Sequence, residues 1–333
     1  MKAATPELEP APRARRTRAW GGLIAAMLAV LIASALPRLL AVEKMPAFVD
    51  EILWLEQGSR VIERLESPVA WTDLWPDDLL RHPGVPTAIA AGLAEQSRQP
   101  GLDRVAENER ILVLGRLGVV WIGILGCLSL LLLGTRLYGL PTGITAGLML
   151  SLSPVHIANS AWLQCDSSLA TFSFLSVASL AIRIQGAGPG WLIASAACAG
   201  LAVASKLPGI LLFVLVPAVF LVRACGNRER MAAAGSAALQ AGLWLAMAGA
   251  TLYLVWPRMW SDPMELWTTL SWASSLAGGH LNFFLGQITW FPPWYYYLVL
   301  LPLSASPVEL MGAAALLGWA VLAVGYADEV VDL

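Results

Sequence analysis

Charge is what this sequence has least of. Only 13% of its 333 residues are Asp, Glu, Lys or Arg, and the net charge is −2. A soluble globular domain is usually about a quarter charged, so this composition excludes a disordered chain and an ordinary soluble enzyme. The near-neutral balance also excludes the basic face with which proteins displace counterions from nucleic acid. Cysteine is equally sparse. Cys127, Cys165, Cys198 and Cys225 share no metal-ligand spacing, and the topology below places them at different depths, so neither a zinc site nor a disulfide framework is expected. No internal repeat runs through the chain. The stretch 200–206 falls short of a phosphate loop, because Ser205 stands where Gly is needed and Leu207 where Ser or Thr is needed.

What the sequence has in quantity is long apolar runs. Hydrophobic residues make up 57% of it, and the mean hydropathy is +0.66. A helix crossing the hydrocarbon needs about 20 mostly apolar residues, since no water there can satisfy a free backbone group. The first such run, 19–36, follows Arg13, Arg15, Arg16 and Arg18. Ala33-Ser34-Ala35 resembles a signal-cleavage site, but the later spans need this one in place. It reads as a retained anchor after a basic cytoplasmic tail, 1–18. Further runs at 111–134, 142–157, 168–182, 191–204, 207–222, 231–255, 294–303 and 308–326 bring the expectation to roughly nine spans. The class expected is an all-α polytopic membrane protein, with 19–333 as a single transmembrane domain.

Arginine placement orients it. With the N-terminus in the cytoplasm, Arg136, Arg183, Arg223, Arg228 and Arg230 fall in short cytoplasmic turns, and the acid-rich stretch 42–109 falls outside. Two large extracytoplasmic segments result, 42–109 and 256–293, and chemistry is expected on that face. Within the first, AFVDEILWLEQGSRVIERL spaces Ile52, Leu55, Ile62 and Leu65 as an amphipathic helix lying in the interface, with Asp50 in capping position beside Glu51.

A few polar residues stand out on that face. The plainer reading of Asp50 is a helix cap, and the same holds for Asp166, which precedes Ser167 and Ser168. An acid at a membrane edge must otherwise be paired, hydrated or functional. Lys206 is either a snorkelling lysine or a cation for a lipid phosphate. Arg258 and His280 are polar outliers in a late loop crowded with Trp256, Trp260, Trp267, Trp272, Trp290 and Trp294. Most of those rings suit interfacial anchoring, and aromatic faces also stack on sugars. No His or Cys lies at a paired metal spacing around His280, and His82 sits in a turn-forming RHPGVP.

The order of these pieces is informative. An outward Asp-Glu follows the first span, then come a His-Pro turn, SPVHIANSAWLQCD, GLAVASK, WPRMW, HLNFFLG and PPWYYY. Over 19–333 this resembles the membrane glycosyltransferases of the protein O-mannosyltransferase and lipid A aminoarabinose transferase type, the glycosyltransferase family 39-like group. The resemblance implies a GT-C-like helical bundle that uses a polyprenyl-phosphate sugar as donor and a protein, lipid or glycan hydroxyl as acceptor. It maps the family's first-loop acid onto Asp50 as general base. Glu51, Asp166, Lys206, Arg258 and His280 follow as substrate-binding residues, with inversion at the sugar carbon. Carboxylates near a phosphate suit a divalent cation or none, so the cofactor stays open. Family members usually run longer at the C-terminus, which implies a minimal or truncated member, and a bacterial inner membrane is the expected location. A transporter or flippase of a lipid-linked substrate, or a non-catalytic homologue, shares the many spans and outer charges. Acids clustered on one face without two related halves favour the transferase.

Overall fold

The computed structural model describes residues 13–67, 80, 83–99, 104–225, 230–275, 282–305, 307 and 309–318. Helix α1, Arg13–Val42, starts inside the basic flank, so part of the expected tail is helical. The segment 42–109 then carries two helices, α2 (Val49–Glu66) and α3 (Val85–Gln96). Only α2 was legible as an amphipathic pattern. The α3 sequence VPTAIAAGLAEQ has no alternating polar face, because Val85, Ala88, Ala91 and Ala94 are buried against neighbouring protein.

The bundle continues with α4 (Arg104–Tyr138), α5 (Leu140–Leu152), α6 (Pro154–Ala161), α7 (Asp166–Ile184) and α8 (Gly190–Ser205). A 3-10 turn at Leu207–Leu211 leads into α9 (Leu212–Cys225), followed by α10 (Arg230–Val255). The late segment holds α11 (Arg258–Ser261), α12 (Glu265–Ser275) and a two-stranded antiparallel hairpin, β1 (Asn282–Phe284) with β2 (Gln287–Thr289). It ends in α13 (Tyr296–Ser304) and a further apolar helix, Glu309–Gly318.

Among the described residues, five helices are long and apolar enough to cross a membrane, and a sixth span forms if α5 and α6, bent by 60°, count as one. Nine had been expected. The run 294–303 yields only the nine-residue α13, about 14 Å long, against a hydrocarbon core of about 30 Å. Helix α8 is also short, at 16 residues, yet it traverses the bundle. Lys206, directly after α8, pairs with Asp166 at the start of α7, so the two helices form an antiparallel hairpin of matched depth.

Alanine and glycine make that packing close. Ala196, Ala199 and Ala202 of α8 are fully buried in a cluster with Leu212, Val216, Phe220 and Trp244. A Cβ on Gly200 would lie 2.6 Å from the Ala248 carbonyl oxygen, an approach that only small residues permit between spans. Trp244 donates its indole N–H to Ser195 Oγ at 2.9 Å, so the largest buried ring leaves no donor unmet. Ile24, Leu28 and Ile32 on α1, like Val214 and Leu215 on α9, are more than half exposed. An apolar surface of this extent is one that lipid covers. The protein is an integral, multi-pass membrane protein.

Candidate active site

Polar groups cluster at one end of the bundle, where α2 begins, α6 leads into α7, and α8 ends. Beneath them lies a shared apolar floor: Val61, Val85, Ala88, Val203, Ala204, Leu252 and Trp256, drawn from α2, α3, α8 and α10. Trp256 donates its indole N–H to the Leu80 carbonyl at 3.1 Å, and Leu80 holds a left-handed φ of 54°. That bond fastens the WPRMW motif of the late loop to the first loop, next to Pro83 and Gly84.

Asp50 and Glu51 part company here. The helix is capped by Phe48, so Asp50 is its second residue and does not cap it. Its side chain is exposed and makes no hydrogen bond among the described residues. Glu51 is fully buried. Its Oε1 accepts from Arg116 Nε at 2.8 Å and from the Leu163 backbone N–H at 2.8 Å. Its Oε2 accepts from Arg116 Nη2 at 2.7 Å and from the Phe48 N–H at 2.9 Å. Four bonds engage that carboxylate within the protein, so Glu51, expected among the substrate-binding residues, has a structural role here. Arg116, in turn, holds the carbonyls of Val42, Met45 and Pro46. One buried pair therefore fixes the exit of α1, the start of α2 and the segment before α7.

A second link joins the same segments. Phe48 stacks on Trp162, with ring centroids 5.9 Å apart. Two residues before Asp50 and four before Asp166, the chains are thus held side by side. Asp166 opens α7 and pairs with Lys206 Nζ at 2.7 Å, the two side chains 40% and 32% exposed. Asp50, Asp166 and Lys206 all act electrostatically on the intervening Cys165. Burial, the dominant influence, pushes that thiol up to about 12. The Phe48–Trp162 stack and the Asp166–Lys206 pair thus bring the segments that carry the two acids and the lysine to the same end of the bundle.

Arg258 is elsewhere engaged. Its guanidinium is buried and paired with Glu265 at the turn between α11 and α12, Nε to Oε1 at 2.8 Å. Of the two expected cations, only Lys206 is both partly exposed and close to the acids. His280 and His82 lie outside the described residues. Among the described residues, no three His, Cys, Asp or Glu side chains converge to hold a metal ion.

Two arginines were missed. Arg116 interrupts the apolar run of α4, and Arg38 interrupts the end of α1; an ionisable residue inside a span is itself a functional hint. Arg38 is fully buried and donates to Ser160 Oγ at 2.7 Å and to the Ser34 and Ser151 carbonyls at 2.7 and 3.1 Å. It also meets Nδ1 of His156, the histidine of the SPVH segment. These bonds brace the bend between α5 and α6 and so the path to Asp166.

No curated protein and no solved structure matches the chain. Residues 112–260 match the model of a protein family described as dolichyl-phosphate-mannose-protein mannosyltransferase. That stretch includes Arg116, His156, Asp166, Lys206 and Arg258 but not Asp50 or Glu51. Over this segment the multi-pass chain is similar to that mannosyltransferase family, which supports the resemblance to the glycosyltransferase family 39-like group.

Proposed function

We propose that the protein transfers a sugar from a polyprenyl-phosphate donor to an acceptor hydroxyl at the outer membrane surface, with inversion at the sugar carbon. The observation that carries this reading is the partly exposed Lys206–Asp166 pair, with Asp50 on the neighbouring segment that the Phe48–Trp162 stack holds beside it. A phosphate-linked sugar already carries its leaving group. The enzyme must supply a base for the hydroxyl, a cation for the departing phosphate and a fixed sugar position. Asp50, with no hydrogen-bond partner among the described residues, is the base, which must come within hydrogen-bond reach of the hydroxyl. Lys206 turns toward the phosphate as charge builds there, an interaction worth most where water is scarce. Asp166 aims the lysine and, once released, orients the sugar. Glu51, through Arg116, keeps the Asp50 and Asp166 segments in register, and Arg258 with Glu265 steadies the start of the late segment.

The family description names mannose, dolichyl phosphate and protein, and these are the first donor and acceptor to test. Purified protein in nanodiscs, given labelled dolichyl-phosphate mannose and a Ser/Thr-containing acceptor, should transfer the sugar. Lys206→Gln should lower kcat/KM for the donor by about 10²-fold. Unchanged donor kinetics in Lys206→Gln would remove the lysine from the phosphate site.

A further inference from the structure

The opposite end of the bundle holds a cavity that the transfer chemistry does not use. Its volume is about 310 Å³, and it opens between the ends of α7, α9 and α10, lined by Arg183, Arg223, Ser236, Gln240, Ile184 and Phe220. Arg183 ends the helix that Asp166 begins. The two residues are therefore about 26 Å apart along α7, close to a hydrocarbon thickness, so the cavity lies at the other membrane interface. By the arginine distribution that is the cytoplasmic one.

The charge in this cavity is unbalanced. Arg183 has one contact, from Nη1 to the Ala187 carbonyl at 3.4 Å, and its buried Nε meets no hydrogen-bond partner. A guanidinium offers five N–H donors, and leaving a buried one unmet is costly. Arg223 is exposed, and among the described residues neither arginine has an ion-pair partner. The sequence offers little to neutralise them: from 167 to 261 its sole acid is Glu229, outside the described residues. On the third wall, Ser236 of α10 adds a hydroxyl whose oxygen accepts from Gln240 Nε2 at 3.2 Å, which leaves the hydroxyl hydrogen to donate. Ile184 and Phe220, both packed against the bundle core, give the cavity an apolar floor.

We infer that this cavity binds the phosphate of an anionic phospholipid in the cytoplasmic leaflet, with Arg183 and Arg223 as its ligands. Two converging guanidinium groups suit phosphate oxygens, which accept paired N–H bonds, and basic pockets between spans at this interface take lipid headgroups. The cavity's depth, one hydrocarbon thickness from Asp166, puts it at the level of the headgroups, and this favours a lipid phosphate over a free anion.

The test measures thermal unfolding of detergent-purified full-length protein with added phosphatidylglycerol, with diacylglycerol of the same chains, or with inorganic phosphate. Phosphatidylglycerol should raise the midpoint by several degrees, and the other two should not. Arg183→Gln with Arg223→Gln should abolish the shift, the paired Lys variants should keep most of it, and Arg136→Gln should keep all of it. Arg136 is the charge-loss control, an exposed arginine of the same interface outside the cavity. An equal shift from diacylglycerol, or a shift retained by the Gln pair, overturns the site. An equal shift from inorganic phosphate overturns the lipid assignment. Should the Gln pair fail to fold, photoactivatable phosphatidylglycerol on the wild type decides. Labelling of peptides containing Arg183 or Arg223 supports the site, and labelling only elsewhere overturns it.

Discussion

Adjacent carboxylates on one helix have opposite fates. Asp50 and Glu51 are separated by about 100° of helical rotation, enough to put one in the open and the other in a protein interior. The sequence places an acidic pair on the outer face, but it cannot say which member is engaged. That depends on Arg116, 65 residues further on. Breaking a buried ion pair by removing one partner leaves the other charge uncompensated and costs about 3–5 kcal/mol. Glu51→Gln should accordingly lower the thermal midpoint of the purified protein sharply, whereas Asp50→Asn should leave it unchanged. Equal midpoints for both variants would mean that Glu51 is no clasp. Asp166 and Lys206 were each legible as polar residues at a span's outer end. Their pairing was not, because it needs α7 and α8 to be a hairpin of matched length.

At the scale of elements, the site depends on how α2 lies on α3. Gly58 and Gly92 meet at their crossing: a Cβ on Gly58 would sit 2.6 Å from the Ala88 carbonyl oxygen and also collide with the Gly92 backbone. Gly58→Val should force the helices apart and shift Asp50, two turns earlier, relative to Asp166. The expected result is reduced transfer and a lowered midpoint together, and a fully active, equally stable variant would contradict this packing. The amphipathic spacing of α2 could be read in sequence because one face meets water. Helix α3 was hidden by its small apolar residues, which look like part of a loop until their burial is seen. The excess of expected spans has a similar origin. Hydropathy reports how apolar a run is, and α13 is apolar throughout yet ends after nine residues. The β1–β2 hairpin lay inside a stretch read only for its aromatics.

The whole molecule is polarised. Among the described residues, its acids and Lys206 gather at one end, while Arg136, Arg183 and Arg223 mark the other. This polarity was the most legible feature, since it follows from arginine placement and run lengths alone. Single cysteines in a cysteine-free background test it with an impermeant maleimide. Gly188→Cys, in the α7–α8 turn, should be labelled only in inverted vesicles, and Pro263→Cys, between α11 and α12, in intact cells. Labelling of both from one side would break the topology on which the outer site rests.

The central claim is that this end of the bundle performs sugar transfer with Asp50 as the base. Its most direct test compares transfer of labelled mannose from dolichyl phosphate by the wild type and by Asp50→Asn, both verified as folded by their thermal midpoints. Transfer by the wild type and its loss in Asp50→Asn, with the midpoint unchanged, is the result expected. Undiminished transfer by Asp50→Asn would contradict the account and send the search for the base to another group.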